Sequence, residues 1–138
     1  MPSLLYDNAK KELCQGLIAW DSEPNIKVLL VNASYTPSAA HQFVTDLGAN
    51  ELTGTGYERK ALATRTVTID AVNHKAVCDA ADLDYVGLNA GTLAAAVVFI
   101  DTGTAATSPL IAYMDAPDLA SNGSDVALRW AASGLFSL

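Results

Sequence analysis

The sequence predicts a mostly β domain, and three observations carry that expectation. From residue 60 onward, short runs rich in Val, Ile, Leu and Thr alternate with Gly, Asn, Asp and Pro turns. A single segment near the N-terminus has a good helical apolar period. No strand–helix alternation points to a parallel α/β sheet. The 138 residues suit one domain that hides roughly two thirds of its unfolded surface. The expected architecture is a jelly-roll-like or sandwich domain of about eight strands with one N-terminal helix. Residues 1–16 are its helix or arm, and residues 26–138 its β sandwich.

The helix is expected over Leu4–Gln15, with Leu5, Ala9, Leu13 and Tyr6 on one face and Lys10, Lys11 and Glu12 on the other. Gly16 stops it. A polar turn, Asp21–Asn25, leads into the β-branched run Ile26–Asn32, a strong strand. Ser34–Gly56 is irregular, with a short helix through His41–Leu47 capped by Ser38. Lys60–Asp70 alternates, setting Ala61, Ala63, Arg65, Val67 and Ile69 against Leu62, Thr64, Thr66 and Thr68, as in a sheet with one wet face. Further strands are expected at Lys75–Cys78, Leu83–Leu88, Ala94–Asp101, Leu110–Asp115, Asp125–Ala131 and Leu135–Leu138. The run Ala94–Ile100 is apolar throughout, which predicts cover on both faces. Val126, Leu128 and Trp130 alternate with Ala127 and Arg129, which predicts a half-buried strand.

Charge bounds the function. The formal net charge is −7. Residues 1–75 are nearly balanced, whereas Asp79, Asp82, Asp84, Asp101, Asp115, Asp118 and Asp125 in the second half face Arg129 alone. Nucleic-acid binding needs clustered Lys and Arg to displace counterions, and this sequence has no such cluster. The longest apolar run, Leu93–Ile100, is too short to span a membrane, and no signal peptide is expected. Cys14 and Cys78 are too far apart in sequence for a metal knuckle or a CxxC pair. One disulfide between them stays open, but reduced thiols in a protein made in the cytoplasm are expected.

The sharpest motif is Asp101-Thr102-Gly103 after Val97-Val98-Phe99-Ile100. It resembles the aspartic-protease signature, in which two carboxyls share a proton and activate water. A single copy would require a homodimer. The 35 residues after Gly103 leave little room for the flap and bracing segment of the retroviral type. The expected alternative is a turn that returns as Pro109–Asp115. Asp79, Asp82 and Asp84 lack the glycine and later glutamate of a calcium loop and read as a solvated edge. His41 and His74 stand alone, and Gly54-Thr55-Gly56 lacks the lysine of a phosphate loop. Asn32-Ala33-Ser34 and Asn122-Gly123-Ser124 match the glycosylation sequon but read as turns. The expectation is therefore no enzyme, no cofactor and no metal site.

Several stretches in order carry a resemblance. They run from Leu4-Leu5-Tyr6-Asp7-Asn8-Ala9-Lys10-Lys11-Glu12 to Ile18-Ala19-Trp20-Asp21, then Ile26–Val31, Ser34-Tyr35-Thr36-Pro37 and His41–Leu47. Gly54-Thr55-Gly56-Tyr57 with Arg59-Lys60 follows, then Asp101-Thr102-Gly103 with Ser108–Tyr113. Asn122–Asp125, Arg129-Trp130 and Phe136-Ser137-Leu138 complete it. Over essentially its whole length the chain resembles small tailed-phage structural proteins of the capsid cement, or decoration, kind. Ser124 stands where such proteins often have glycine, and the two cysteines are peculiar to this chain. The resemblance implies a jelly-roll-like fold that clamps neighbouring major capsid subunits from outside the shell, as a homo-oligomer on the virion surface. A tail or head–tail connector component is the runner-up, and the dimeric protease a remote third. Leu4, Leu5 and Tyr6 are the candidate partner-docking arm, because exposed apolar termini mark contact surfaces. The competing reading is a helix that caps one end of the sandwich.

Overall fold

A computed structural model describes residues 3–138. It is mostly β, with ten strands among the described residues and one α-helix near the N-terminus, consistent with a β sandwich. In chain order these are β1 (Leu4–Leu5), α1 (Asp7–Cys14), β2 (Ile26–Val31), β3 (Lys60–Ala61), β4 (Thr66–Asp70), β5 (Lys75–Asp79) and β6 (Leu83–Tyr85). They continue with β7 (Thr92–Ile100), β8 (Leu110–Ala120), β9 (Val126–Leu128) and β10 (Phe136–Ser137). The main sheet has the order β1-β8-β7-β2-β3, a second sheet has β10-β5-β4, and β6 pairs with β9.

Strand β7 lies at the centre because it has no polar face to give to water. Leu93 to Phe99 are all buried, as the apolar run predicts. Its neighbour β2 runs antiparallel to it from Ile26↔Ile100 to Val31↔Ala95, and five of its six residues are buried. Phe99 carries the Arg59 guanidinium 5.2 Å from its ring centre. Residues before β2 close one side. Trp20 is buried, meets Phe136 edge-on at 5.0 Å, and donates its indole N–H to the Asp79 carbonyl at 2.9 Å. The half-buried alternation of Val126, Leu128 and Trp130 holds.

Four local expectations are corrected. The N-terminal helix does not begin at Leu4, because Leu4 and Leu5 pair with Tyr113 and Ala112 of β8. Tyr6 then donates its backbone N–H to Ile111, and the helix starts at Asp7 with an acid in its first turn. It ends where expected, with Gly16 at φ +72°. The segment between His41 and Leu47 is a single 3-10 turn, Val44–Leu47, whose entry is held by Asp46 rather than Ser38. The Asp46 carboxylate accepts from the N–H groups of Gln42 and Phe43 at 2.8 and 2.9 Å.

The expected strand Lys60–Asp70 breaks in two. Leu62 turns into the core and donates its N–H to Ile26, and Thr64 adopts a left-handed φ of +51°. Arg65 leaves the sheet surface altogether. Its guanidinium donates to the carbonyls of Trp20 at 2.7 Å, Leu62 at 2.8 Å and Glu23. Finally, β8 runs past Asp115 and through Pro117. Ala95 faces Asp115 and Leu93 faces Leu119, so a bulge between them accommodates the missing proline N–H.

Candidate docking surfaces

The enzyme-like motif sits in the β7–β8 hairpin, as its turn chemistry predicts. Asp101 accepts the N–H of Gly103 at 2.8 Å and the ammonium of Lys27 at 2.9 Å. The Lys27 hydrogen bond, then that of Gly103, holds its carboxyl below the usual carboxylate range. The Thr102 hydroxyl is spent within the same turn, on the Thr104 carbonyl and the hydroxyls of Thr107 and Ser108. Gly103 takes φ +86°, the conformation that needs glycine here. This arrangement closes the β7–β8 hairpin, with an ammonium and a backbone N–H on the Asp101 carboxylate.

The other polar candidates are also engaged. Arg129 lies 2.9 Å from Asp84 and 3.9 Å from Asp82, and Asp82 also accepts the N–H of Trp130 at 2.9 Å. Asp79 accepts the adjacent N–H of Ala80. No group of three His, Cys, Asp or Glu side chains poised for a metal occurs among the described residues. His41 holds the Tyr35 hydroxyl at 2.8 Å, and Tyr35 bonds Tyr6 at 2.9 Å. His74 occupies a left-handed position in the β4–β5 turn. Asn32 and Asn122 each accept the N–H two residues on, so both sequons are side-chain-closed turns. Cys14 is exposed, Cys78 is buried, and both are free thiols. Burial pushes the Cys78 thiol up to about 11.

One polar cluster escaped sequence reasoning because its members are brought together by folding. Glu51 takes a two-pronged bond from Arg59, at 2.9 and 2.8 Å, and the Tyr57 hydroxyl at 2.6 Å. Tyr57 in turn accepts the backbone N–H of Leu30, fastening the 51–59 loop to β2. Burial opposes charge on Glu51, but the Arg59 and Tyr57 bonds outweigh it and its pKa lies below the ordinary 4.5. A lowered carboxylate pKa contributes stability that is full above the unfolded value and lost as pH falls through the folded one. Glu51→Gln should therefore be less stable than wild type at pH 7, and that gap should close below pH 4.5. Urea unfolding midpoints of both proteins across that range test this. A gap that stays constant with pH would refute the role of the ion pair.

No family model, no curated protein and no solved structure matches the chain.

The structure divides the expected docking arm. Tyr6 is fully buried, its hydroxyl in the Tyr35 bond, and so cannot reach a partner. Leu4 and Leu5 are half-buried in β1 and line a shallow cleft of about 300 Å³ with Met114, Leu135 and Phe136, rimmed by Lys10. The described part of the terminus is an edge strand on β8, Leu4–Leu5, followed by the helix Asp7–Cys14. Residues 1 and 2 of the expected 1–16 arm lie outside the described residues.

The largest exposed apolar side chains lie elsewhere. Ile69 is 85% exposed and Val72 86%, and Val67 is also open to solvent. Alternation in Lys60–Asp70 pointed to a Val67 and Ile69 face set against the threonines, and only the threonines were expected to be wet. In the folded protein Thr66 to Ile69 are all exposed, so both faces of β4 are wet. Leu17 and Val86 add exposed apolar surface.

Proposed function

We propose that this protein is a tailed-phage structural protein that docks on the outside of the capsid and cements neighbouring major capsid subunits. The ordered resemblance over essentially the whole chain carries this reading. Large aliphatic side chains exposed on an acidic body support it, since such surface is used in protein–protein contact while like charge keeps free copies apart. The polar groups of Asp101-Thr102-Gly103 are spent on the hairpin, which fits a role in shape rather than in bond cleavage. The partner is the major capsid protein, and the working form is a homo-oligomer on the virion surface.

Copy number in purified particles tests this directly. A cement protein is expected to approach the stoichiometry of the major capsid protein, and added protein should raise the temperature at which particles lacking it rupture. A copy number matching one tail or connector ring would replace this reading with the runner-up.

A further inference from the structure

Strand β4 is the outer strand of the sheet β10-β5-β4. Ala76 donates its N–H to Leu138 at 2.8 Å and accepts from it at 2.9 Å, so both its backbone groups point away from β4. Ala76 stands opposite Ile69. In an antiparallel pair the two residues exchange both bonds or neither, so the N–H and C=O of Ile69 also point away from β5. The same holds for Val67, opposite Cys78, whose carbonyl accepts from Leu135 at 2.9 Å. Val67 and Ile69 therefore present their backbone groups on the outer side of β4, an edge with no neighbouring strand among the described residues.

We infer that β4 pairs antiparallel with β4 of a second copy of this chain, about a two-fold axis through Thr68. In that register Val67 faces Ile69 of the partner, and Ile69 faces the partner's Val67. The four outward N–H groups then meet the four outward carbonyls, which gives four hydrogen bonds. The two-fold stands normal to the sheet, so the Val67 and Ile69 side chains of both copies gather on one face. The two Thr68 side chains meet on the other, in the close non-hydrogen-bonded position. Charge agrees with this register. Thr66 to Ile69 carry no charge, and Asp70 falls opposite the partner's Thr66 rather than another carboxylate. Exposed edges are ordinarily blunted by lysine, proline or an inward charge, and β4 has none of these between Thr66 and Ile69. An isologous contact needs a self-complementary patch, and this short edge supplies one. The inference stands on the edge geometry and is independent of the capsid reading.

Two measurements on the purified full chain test it. With Cys14→Ser removing the exposed thiol, Thr68→Cys should form a disulfide dimer under mild oxidation. The paired Cα atoms would lie about 4.5 Å apart. Thr66→Cys, equally exposed but about 13 Å from its own copy at strand rise, should cross-link at least tenfold less. Equal cross-linking at the two positions overturns the proposal. In sedimentation, wild-type association should rise with concentration, and Ile69→Lys should weaken it at least tenfold at unchanged melting temperature. A dimer that Ile69→Lys leaves intact, or a chain that stays monomeric up to its solubility limit, also overturns it.

Discussion

Replacing Tyr6 by alanine should cost the domain about 3–5 kcal/mol, and deleting residues 1–16 should abolish cooperative folding rather than trim a loose arm. Tyr6 and Ala9 are completely buried. The Tyr6 ring fills the core beside β8, and its hydroxyl is one link in the chain Tyr6–Tyr35–His41. Burial, then the Tyr35 bond, pushes the Tyr6 phenol far above its ordinary pKa, which reflects how dry the site is. Alanine would leave a ring-sized cavity and strip Tyr35 of one partner. Tyr6→Phe should cost only about 1 kcal/mol, because packing is kept and Tyr35 retains His41. The deletion further removes β1 from β8, uncovering backbone groups at Ile111 and Tyr113. Urea unfolding followed by tryptophan fluorescence measures all three. A deletion variant that unfolds cooperatively near the wild-type midpoint would restore the detachable arm.

The contrast between this terminus and the sheet centre explains what the sequence could reveal. Ile26–Asn32 was legible as a strand because it is rich in β-branched residues, and Ala94–Asp101 because an apolar run bounded by turns suits a strand covered on both faces. Asp101-Thr102-Gly103 was legible as a turn because its bonds are made within a few residues. Leu4 and Leu5 were not legible as a strand. Leucine favours helices, and only the distant edge of β8 selects the extended form. Alternation in Thr66–Asp70 correctly indicated a strand, but period alone does not say where the covering layer ends. Val67 and Ile69 thus emerge as surface, although their spacing suits a core. The Glu51–Tyr57–Arg59 cluster was illegible for a different reason. Its partners become neighbours only when the loop folds back on β2.

Arg65→Ala should cost about 2–4 kcal/mol, the second large effect expected. In the sequence Arg65 reads as one more residue on an alternating strand. In the structure its guanidinium satisfies three carbonyls, those of Trp20, Leu62 and Glu23, where the chain before β2 meets the break between β3 and β4. Bonds from a charged donor are roughly twice as strong as neutral ones, and alanine leaves these carbonyls to whatever water can reach. Arg65→Lys should recover less than half of the loss, because a single ammonium cannot reproduce a planar fork aimed at three acceptors. The consequence extends to the proposed interface. Arg65 immediately precedes β4, so it anchors the base of the hairpin whose edge carries Val67 and Ile69. In Arg65→Ala, the amides of Thr66 and Thr68, which face β5, should exchange faster with deuterium than those of the β2–β7 centre. If all amides instead accelerate together, Arg65 serves global stability alone. If neither exchange nor the urea midpoint changes, the three carbonyl bonds contribute nothing measurable.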